Sequence, residues 1–234
     1  MKIWQGERDY KYHMRTRAII LKKQNTNEYD QLVTCYTQEF GKITAIAKSI
    51  LKPNSIQAMH LDVFNLVDFD LINGRSLPII TGAQVENSNL ELKNSLSALA
   101  IGYFFIEVID KIFFDYQRDD SIWDFLNRLL KNLNDKNSNL KELLSLNKKE
   151  LVSILGYAPN ISQCAFCLKN DLASLIAYSI HAKGVVCKDC FLSGQEAVVI
   201  KNQDFGSDFI TETIFESIAE RKINSLNFVK TVVK

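Results

Sequence analysis

Four cysteines stand in two pairs, Cys164-Ala-Phe-Cys167 and Cys187-Lys-Asp-Cys190, with nineteen residues between the pairs. A gap of two residues lets both thiolates of a pair face one ion, and structural zinc takes four such ligands in a tetrahedron. Paired spacing of this kind is typical of four-cysteine zinc sites. The pattern therefore predicts a structural zinc ion in a knuckle at residues 161–193, with no open coordination position for catalysis.

Three other readings of these cysteines stay open, namely disulfides, a thioredoxin-like redox pair and unligated buried thiols. The double pair is more specific than any single Cys-x2-Cys, so zinc is favoured. His181 lies near the second pair, but four cysteines already complete a tetrahedron. An apolar run at residues 175–178 (LIAY) predicts a strand beneath the second pair.

The composition describes a globular protein without a membrane span. A length of 234 residues allows one large or two modest domains. The sequence has no apolar run near the roughly 18 residues that a spanning helix needs, and its first thirty residues predict no secretory leader. Cys35 lies in an alternating apolar run and is predicted to be a small core residue. The odd cysteine count favours a reducing cytoplasm.

Charge is distributed unevenly along the chain. Residues 1–60 carry a net charge of +5 and residues 61–120 a net charge of −6, although the whole chain is near neutral at +1. A basic first quarter favours contact with a polyanion through that segment. The alternative is an uneven but merely solvated surface.

Alternating and β-branched residues predict five strands in the first eighty-five residues, after an extended lead-in at residues 1–14. The predicted strands are residues 15–23, 32–37, 43–48, 61–72 and 77–85. Short strands at this density predict a small closed barrel, for which the OB-fold leads. The fold class is therefore α+β, with an OB-type nucleic-acid-binding domain at residues 1–82 and a helical domain at residues 83–234.

From residue 89 the apolar period changes to that of a helix. A helix with a wide apolar face (the apolar arc) is predicted from residue 89 to Phe113. Further helices are predicted at residues 121–134, 139–155 and 210–221, with a tail at 227–234. The aromatic residues of the arc sit at helical spacing and are predicted to be core or interface residues. They are Phe104, Phe105, Phe113 and Phe114.

The sequence contains no motif of a nucleotide-binding loop, a zinc hydrolase or a serine hydrolase. Asp119 and Asp120 stand before a predicted helix, where capping is the ordinary explanation. Asp68 and Asp70 alternate out of a strand and are predicted to face water. No acid–base pair is assembled by these patterns, so we expect a protein that is not an enzyme.

Cations cluster on the predicted barrel, with aromatic residues between them. Such a combination is typical of single-stranded nucleic-acid binding, whereas each cation alone is explained by solubility. Phe40 is predicted to be a core residue of the barrel. Tyr36 fits a core position and a base-stacking position equally well, and Tyr29 is the third aromatic residue among these cations. The predicted nucleic-acid-binding residues are Arg15, Arg17, Lys22, Lys23, Lys42, Lys48 and Lys52.

This order of features resembles the bacterial RecO family of recombination mediators. The likeness covers nearly the whole chain, and four groups of residues carry it: 15–21 with 29–33, 39–48 with 52–55, 103–110 with 123–133, and 155–159 with the two cysteine pairs. Two departures stand out. Ser49-Ile50-Leu51 replaces a glycine and an arginine frequent in the family, and only Gly184 remains of paired glycines before the second cysteine pair.

The resemblance implies an N-terminal OB-fold and a helical domain with a four-cysteine zinc site. It also implies binding of single- and double-stranded DNA, annealing of complementary strands, and action with RecR in the RecF-type pathway of DNA repair. In that pathway such proteins help RecA displace single-stranded DNA-binding protein. A cytoplasmic location beside the nucleoid follows from the same resemblance.

Three rival functions are weighed against this hypothesis. An RNA-binding OB/zinc protein would prefer RNA through its 2′-hydroxyl groups. A protein–protein scaffold would use its barrel charge only for solubility. A zinc-dependent hydrolase is disfavoured because four thiolates close the metal site.

Overall fold

The computed structural model describes residues 13–158, 160–200 and 208–233. Of these, residues 13–102 and 113–136 form one unit, and residues 103–112 and 137–233 form a second. The first twelve residues of the predicted lead-in lie outside the described residues. The division into domains at residue 82 stays a prediction.

Five strands of the first unit form a closed barrel in the order β1-β2-β3-β5-β4. They are β1 (Met14–Asn25), β2 (Gln31–Thr37), β3 (Gly41–Ala47), β4 (Leu66–Ile72) and β5 (Ile79–Asn87). β3 and β5 pair in parallel, and the other neighbours are antiparallel. The predicted α+β class with an OB-type barrel is confirmed.

The long first strand closes the barrel because it pairs with two partners. Its first half pairs with β4 and its second half with β2, and a register shift lies between Ile20 and Lys22. Such a bulge bends a strand and increases its twist. The bend lets one strand serve both edges of the sheet, which leaves no open edge in the barrel.

Small and branched apolar side chains fill the barrel interior. Cys35 is fully buried among them, which confirms its predicted place in the core. Phe40 is only half-buried but packs against the same cluster. The buried members are Ala18, Ile20, Val33, Cys35, Ile43, Ala45, Ala47, Ile50, Leu61, Val67, Phe69, Leu71 and Ile80.

The predicted strand at residues 61–72 is wrong in its first five residues. A short helix α1 (Gln57–His60) leads into a turn, and Phe64 has a positive φ of 69°. The Asn65 amide donates to the carbonyl oxygens of Met59 and His60 at 3.1 and 2.9 Å, which fixes that turn. Alternating hydrophobicity continued through the turn and concealed it, because Leu61 and Phe64 are buried without belonging to the sheet.

A later segment of the chain covers part of the outer barrel wall. Tyr36 is fully buried, and its hydroxyl accepts from the Asp119 N–H at 3.0 Å and donates to the Asp119 carbonyl at 3.1 Å. Gly41 has a φ of 68°, and a Cβ at this position would lie 2.1 Å from the Gln117 carbonyl oxygen. The glycine therefore permits both the turn and the close approach of the covering segment.

Seven further α-helices follow the barrel in the described residues. They are α2 (Leu90–Asn94), α3 (Leu96–Ile112), α4 (Asp120–Leu133), α5 (Leu140–Ile154), α6 (Lys188–Leu192), α7 (Asp208–Ala219) and α8 (Ser225–Val232). The single helix predicted up to Phe113 is interrupted at Ser95, where the backbone is extended with a ψ of 115°. Asp119 accepts from the N–H groups of Ser121 and Ile122, so its predicted capping role is confirmed.

Phe104, Phe105 and Phe113 are buried in the core, whereas Phe114 is 81% exposed, so that an interface role for Phe114 stays a prediction. One prediction about the helical part was wrong. The predicted tail at residues 227–234 is mostly helix, since α8 runs from Ser225 to Val232 and buries Leu226 and Val229.

The second unit contains a small sheet that carries the cysteines. Its order is β7-β6-β8, with β6 (Leu175–Ser179), β7 (Gly184–Cys187) and β8 (Val198–Val199). β6 corresponds to the predicted strand at residues 175–178. Its neighbours are very short, so the sheet by itself buries little apolar surface.

Candidate metal centre and nucleic-acid interface

A turn and a strand–helix junction bring the four cysteines together. Cys164 and Cys167 flank a turn in which the Leu168 N–H donates to the Cys164 carbonyl at 3.0 Å. Cys187 ends β7, and Cys190 lies in the first turn of α6. The first pair therefore lies in a turn and the second pair at the start of a helix.

The four sulfur atoms lie within 4.8 Å of one another. The sulfurs of Cys167 and Cys187 are 3.6 Å apart. Four thiolates at the usual Zn–S distance of about 2.3 Å would be separated by about 3.8 Å. The spacing therefore fits a tetrahedral ion of the size of zinc, and the donor atoms suit a metal that prefers sulfur.

The surroundings of the sulfurs favour thiolates at one cysteine and oppose them at another. Burial raises the pKa of Cys164, but N–H groups of Cys167, Cys187 and Phe166 outweigh it and lower that pKa to about 6. Burial and hydrogen bonds with the neighbouring thiols raise the pKa of Cys190 to about 12. Four negative charges at this spacing repel one another, and a bound divalent cation would compensate them.

The first cysteine turn is fastened to β7 through the backbone. The Ala165 N–H donates to the Val185 carbonyl at 2.8 Å. A Cβ on Gly184 would lie 3.0 Å from the Ala165 Cβ, so glycine lets the turn pack closely at this strand. The single glycine that the sequence retains before the second pair thus has a local packing role.

His181 does not belong to the metal cluster. Its side chain is 82% exposed and its Nε2 lies 3.6 Å from a Glu196 carboxylate oxygen. Among the described residues, the only group of metal-binding side chains with converging donor atoms is the set of four cysteines.

Three loops meet at one end of the barrel. β2 begins beside the end of β3, since Gln31 pairs with Ala47, and β5 begins there too, since Ala47 pairs with Ile80. The loops at residues 26–30, 48–56 and 73–78 therefore converge. In OB-folds, the loops between the first two and the last two strands contact nucleic acid.

Two of the predicted cations lie at this loop end. Lys48 and Lys52 are exposed, and both approach Asp30. The Asp30 carboxylate accepts from the Ser49 N–H at 2.6 Å, which joins the first loop to the second. This hydrogen bond is the first cause of the lowered pKa of Asp30, with Asn27 and the two lysines adding to it.

Three other predicted cations are paired with carboxylates elsewhere on the barrel. Arg15 makes a fork-like contact to Asp68, with Nε 2.9 Å from Oδ2, and the Arg17 Nη2 lies 2.7 Å from Glu86. Lys23 lies 2.9 Å from Asp62, a carboxylate that also binds a second lysine.

The remaining two cations differ in exposure. Lys42 is buried, with its Nζ 3.8 Å from the Asp115 carboxylate. Lys22 is exposed on β1, opposite Thr34 of β2. The seven predicted residues thus do not form one patch, and Lys48 and Lys52 alone share the loop end.

Two family models match successive parts of the chain. The model described as "Recombination protein O N terminal" matches residues 12–89, and "Recombination protein O C terminal" matches residues 93–206. The chain belongs to the RecO family. This membership assigns it a role in DNA repair and recombination.

Curated proteins named DNA repair protein RecO are similar to this RecO-family chain over most of their length. One from Dehalococcoides mccartyi is 29% identical over 213 residues, which cover 91% of this chain and 84% of the relative. One from Syntrophomonas wolfei is 27% identical, and the match covers 82% of this chain and 75% of the relative. One from Caldanaerobacter subterraneus is 25% identical, and the match covers 76% of this chain and 71% of the relative. No helix in the described part of this RecO chain has the length and apolarity to cross a membrane.

The aromatic residues Tyr36 and Tyr29 of this RecO barrel differ in burial. Tyr36 is a core residue, held by Asp119 and packed edge-on to Phe113 at 6.2 Å between ring centroids. Burial raises its pKa to about 12. Tyr29 is instead 49% exposed, and it stands at the loop end with Lys52.

One cation of the RecO loop end was not among the residues predicted from the sequence. Arg75 is exposed in the loop between β4 and β5, beside the other two loops. The turn signal Asn73-Gly74 directly before it marks that loop in the sequence. The loop's position beside Lys48 follows from the parallel pairing of β3 with β5, which local sequence does not reveal.

Proposed function

We propose that this RecO-family chain binds single- and double-stranded DNA through the loop end of its barrel. The observation that carries the proposal is the convergence of three loops, two of which present exposed cations: Lys48 and Lys52 in one, and Arg75 in another. Lysine and arginine side chains neutralise phosphates and release condensed counterions, which supplies affinity without sequence preference. The family role in repair and recombination supports DNA as the polyanion.

All seven cations predicted from the sequence stay candidates, in an order that their surroundings suggest. Lys48 and Lys52 come first because they are exposed at the loop end, and Lys22 follows because it is exposed on β1. Arg15, Arg17 and Lys23 would have to exchange a carboxylate partner for a phosphate. Lys42 comes last because its residue is only 8% exposed.

The salt dependence of DNA binding should report how many of these cations contact phosphates. We expect fluorescence anisotropy with labelled single-stranded DNA to give a logarithm of affinity that falls linearly with log salt. Changing Lys48→Gln and Lys52→Gln together should flatten that slope by about 1.4, since each contact to a single strand contributes about 0.7. Lys131→Gln, at an exposed lysine of α4, is the control and should leave the slope unchanged.

Each other outcome points to a different function. No binding at low salt would leave the barrel charge as surface and make the chain a scaffold. Tighter binding to RNA than to DNA of the same sequence would favour an RNA-binding protein. An unchanged slope in the double variant would remove the loop end from the DNA site.

We propose further that the chain acts without bond chemistry. Charge neutralisation lets two complementary strands approach, so the chain should anneal them and, with RecR, help RecA load onto DNA covered by single-stranded DNA-binding protein. From this activity we infer a location in the cytoplasm beside the nucleoid. Annealing of strands coated with that binding protein, measured with and without RecR, tests this step.

We propose that the four cysteines hold one zinc ion with a structural role. Cys164, Cys167, Cys187 and Cys190 supply four sulfur donors at a fitting spacing. When bound, the ion links the first cysteine turn to the junction of β7 and α6. Because four thiolates complete its coordination, it has no position left for a water nucleophile.

A further inference from the structure

Tyr29 is an exposed aromatic residue on a loop that is held rigidly. The Asn27 side-chain oxygen accepts from the N–H groups of Tyr29 and Asp30 at 2.8 and 2.7 Å. The Thr26 N–H donates to the Asp30 carbonyl at 3.0 Å and closes the loop. These contacts fix the backbone that carries the Tyr29 ring.

The same loop is tied to the loop that carries the two lysines. The Leu51 N–H donates to the Tyr29 carbonyl at 3.0 Å, and the Ser49 N–H donates to the Asp30 carboxylate at 2.6 Å. Tyr29 therefore cannot move far from Lys48 and Lys52 without breaking both contacts. An aromatic ring and two cations are held together in advance of any ligand.

The Tyr29 ring remains accessible although a cation lies near it. The Lys52 Nζ lies 5.4 Å from the ring centroid, within the range of a cation–π contact. The residue is nevertheless 49% exposed. An exposed large apolar side chain costs hydration free energy, and here it sits beside the predicted phosphate contacts.

We propose that Tyr29 stacks on a base of single-stranded DNA while Lys48 and Lys52 contact the neighbouring phosphates. This assignment rests on the proposed DNA-binding function and adds to it the residue that tells a single strand from a duplex. In a duplex the base faces are covered by their neighbours, whereas a single strand offers them to an aromatic ring. The cations contact either form, but the ring contacts only the unpaired one.

Tyr36, Phe40 and Phe114 do not compete with Tyr29 for this role. Tyr36 is buried under the covering segment, and Phe40 packs against the barrel core. Phe114 is more exposed than Tyr29, but it follows α3 two residues before Tyr116, whose N–H donates to the Lys42 carbonyl at 2.7 Å. Lys42 is at the opposite end of β3 from Lys48, so Phe114 provides a matched control.

The test compares an oligonucleotide with an abasic oligomer of equal length. Stacking on one base contributes enough that Tyr29→Ala should bind single-stranded DNA at least about fivefold more weakly. The same variant should bind the abasic oligomer as the wild type does, with an unaltered salt slope. Tyr29→Phe should restore the affinity for the single strand because it keeps the ring.

Two controls keep the result specific. Phe114→Ala removes an exposed aromatic at the opposite end of β3 and should change neither affinity. Thermal unfolding of each variant reports whether the fold is kept.

The outcomes separate this assignment from the proposed function. Equal binding of single-stranded DNA by wild type and Tyr29→Ala would overturn the stacking role alone. Equal weakening for the DNA and the abasic oligomer would overturn it too, because the ring would then act through Lys52. If the wild type bound neither oligomer, the DNA-binding function would fall and the stacking role with it.

Discussion

The barrel encloses thirteen buried apolar side chains, whereas the cysteine knuckle arranges four sulfurs around one position beside a sheet of very short strands. Burial of apolar surface contributes about 25 cal/mol per Å², so the barrel interior stabilises its own strands. The knuckle has strands of four and two residues on either side of β6 and lacks a comparable core. The two regions therefore depend on different interactions, and each should fail under a treatment that spares the other.

Chelation should have the largest effect, and it should be confined to the knuckle. Structural zinc contributes on the order of 10 kcal/mol in small zinc domains, which matches the whole stability of many proteins. With a chelator and a thiol reductant present, hydrogen exchange should lose protection at Ala177 and Val186. Peptides covering β2 and β3 should stay protected. Equal protection of the knuckle with and without metal would contradict a structural role for the ion.

A cavity in the barrel should give the reverse result. Phe69 is 1% exposed inside the barrel, so Phe69→Ala should lower the free energy of unfolding by about 3–5 kcal/mol. Asp70→Ala on the same strand is the matched control, since Asp70 is exposed and should change stability by less than about 0.5 kcal/mol. Denaturation followed by thiol labelling, read on the peptide that contains Cys35, provides the measurement, because Cys35 is fully buried and reacts only when the barrel opens. Loss of the bound metal in Phe69→Ala would show that the two regions are not independent.

A smaller effect should come from a charge in the second unit. The Glu107 carboxylate accepts from the Asn224 and Ser225 N–H groups at 3.0 and 2.7 Å, at the start of α8, and from Lys111 at 2.6 Å. Burial opposes this charge, but Lys111, Ser225 and Asn224 outweigh it and lower the pKa of Glu107 to about 2. Glu107→Gln should lower the free energy of unfolding by about 2 kcal/mol at neutral pH.

The pH dependence of this contribution has a definite sign. Because the folded pKa is the lower one, the stabilisation is full above the unfolded pKa of about 4.3 and is lost as pH falls toward 2. Chemical denaturation between neutral pH and pH 3 should therefore show a smaller acid loss in Glu107→Gln than in the wild type. Glu91→Gln breaks an exposed pair with Lys136 and should change stability by less than about 1 kcal/mol. Parallel pH profiles for wild type and Glu107→Gln would contradict the assignment.

Local patterns in the sequence predicted the elements of both regions well. Alternation in β2 placed Cys35 inside the barrel, and the spacing of two cysteine pairs predicted four converging sulfurs. Both signals act over a few residues, where backbone geometry alone decides which side chains share a face.

Contacts between distant residues could not be predicted in this way. Tyr36 is buried only because residues more than seventy positions later lie over it, and Arg15 meets Asp68 only because β1 pairs with β4 in the closed barrel. The α8 helix was missed because its buried face consists of only Leu226 and Val229, too few for a clear helical period. The positions of the candidate cations depend on such distant pairings, which is why their local sequence does not tell which of them lie together at the loop end.

The covering segment over Tyr36 and Gly41 has a consequence for synthesis on the ribosome. The last barrel strand ends at Asn87, but the cover reaches Asp119, which is translated thirty-two residues later. At bacterial elongation rates of about 5–20 residues per second, the nascent barrel waits about 2–6 s for its cover. During that interval the Tyr36 ring faces solvent or a chaperone, so the order of translation leaves one apolar wall of a finished barrel temporarily bare.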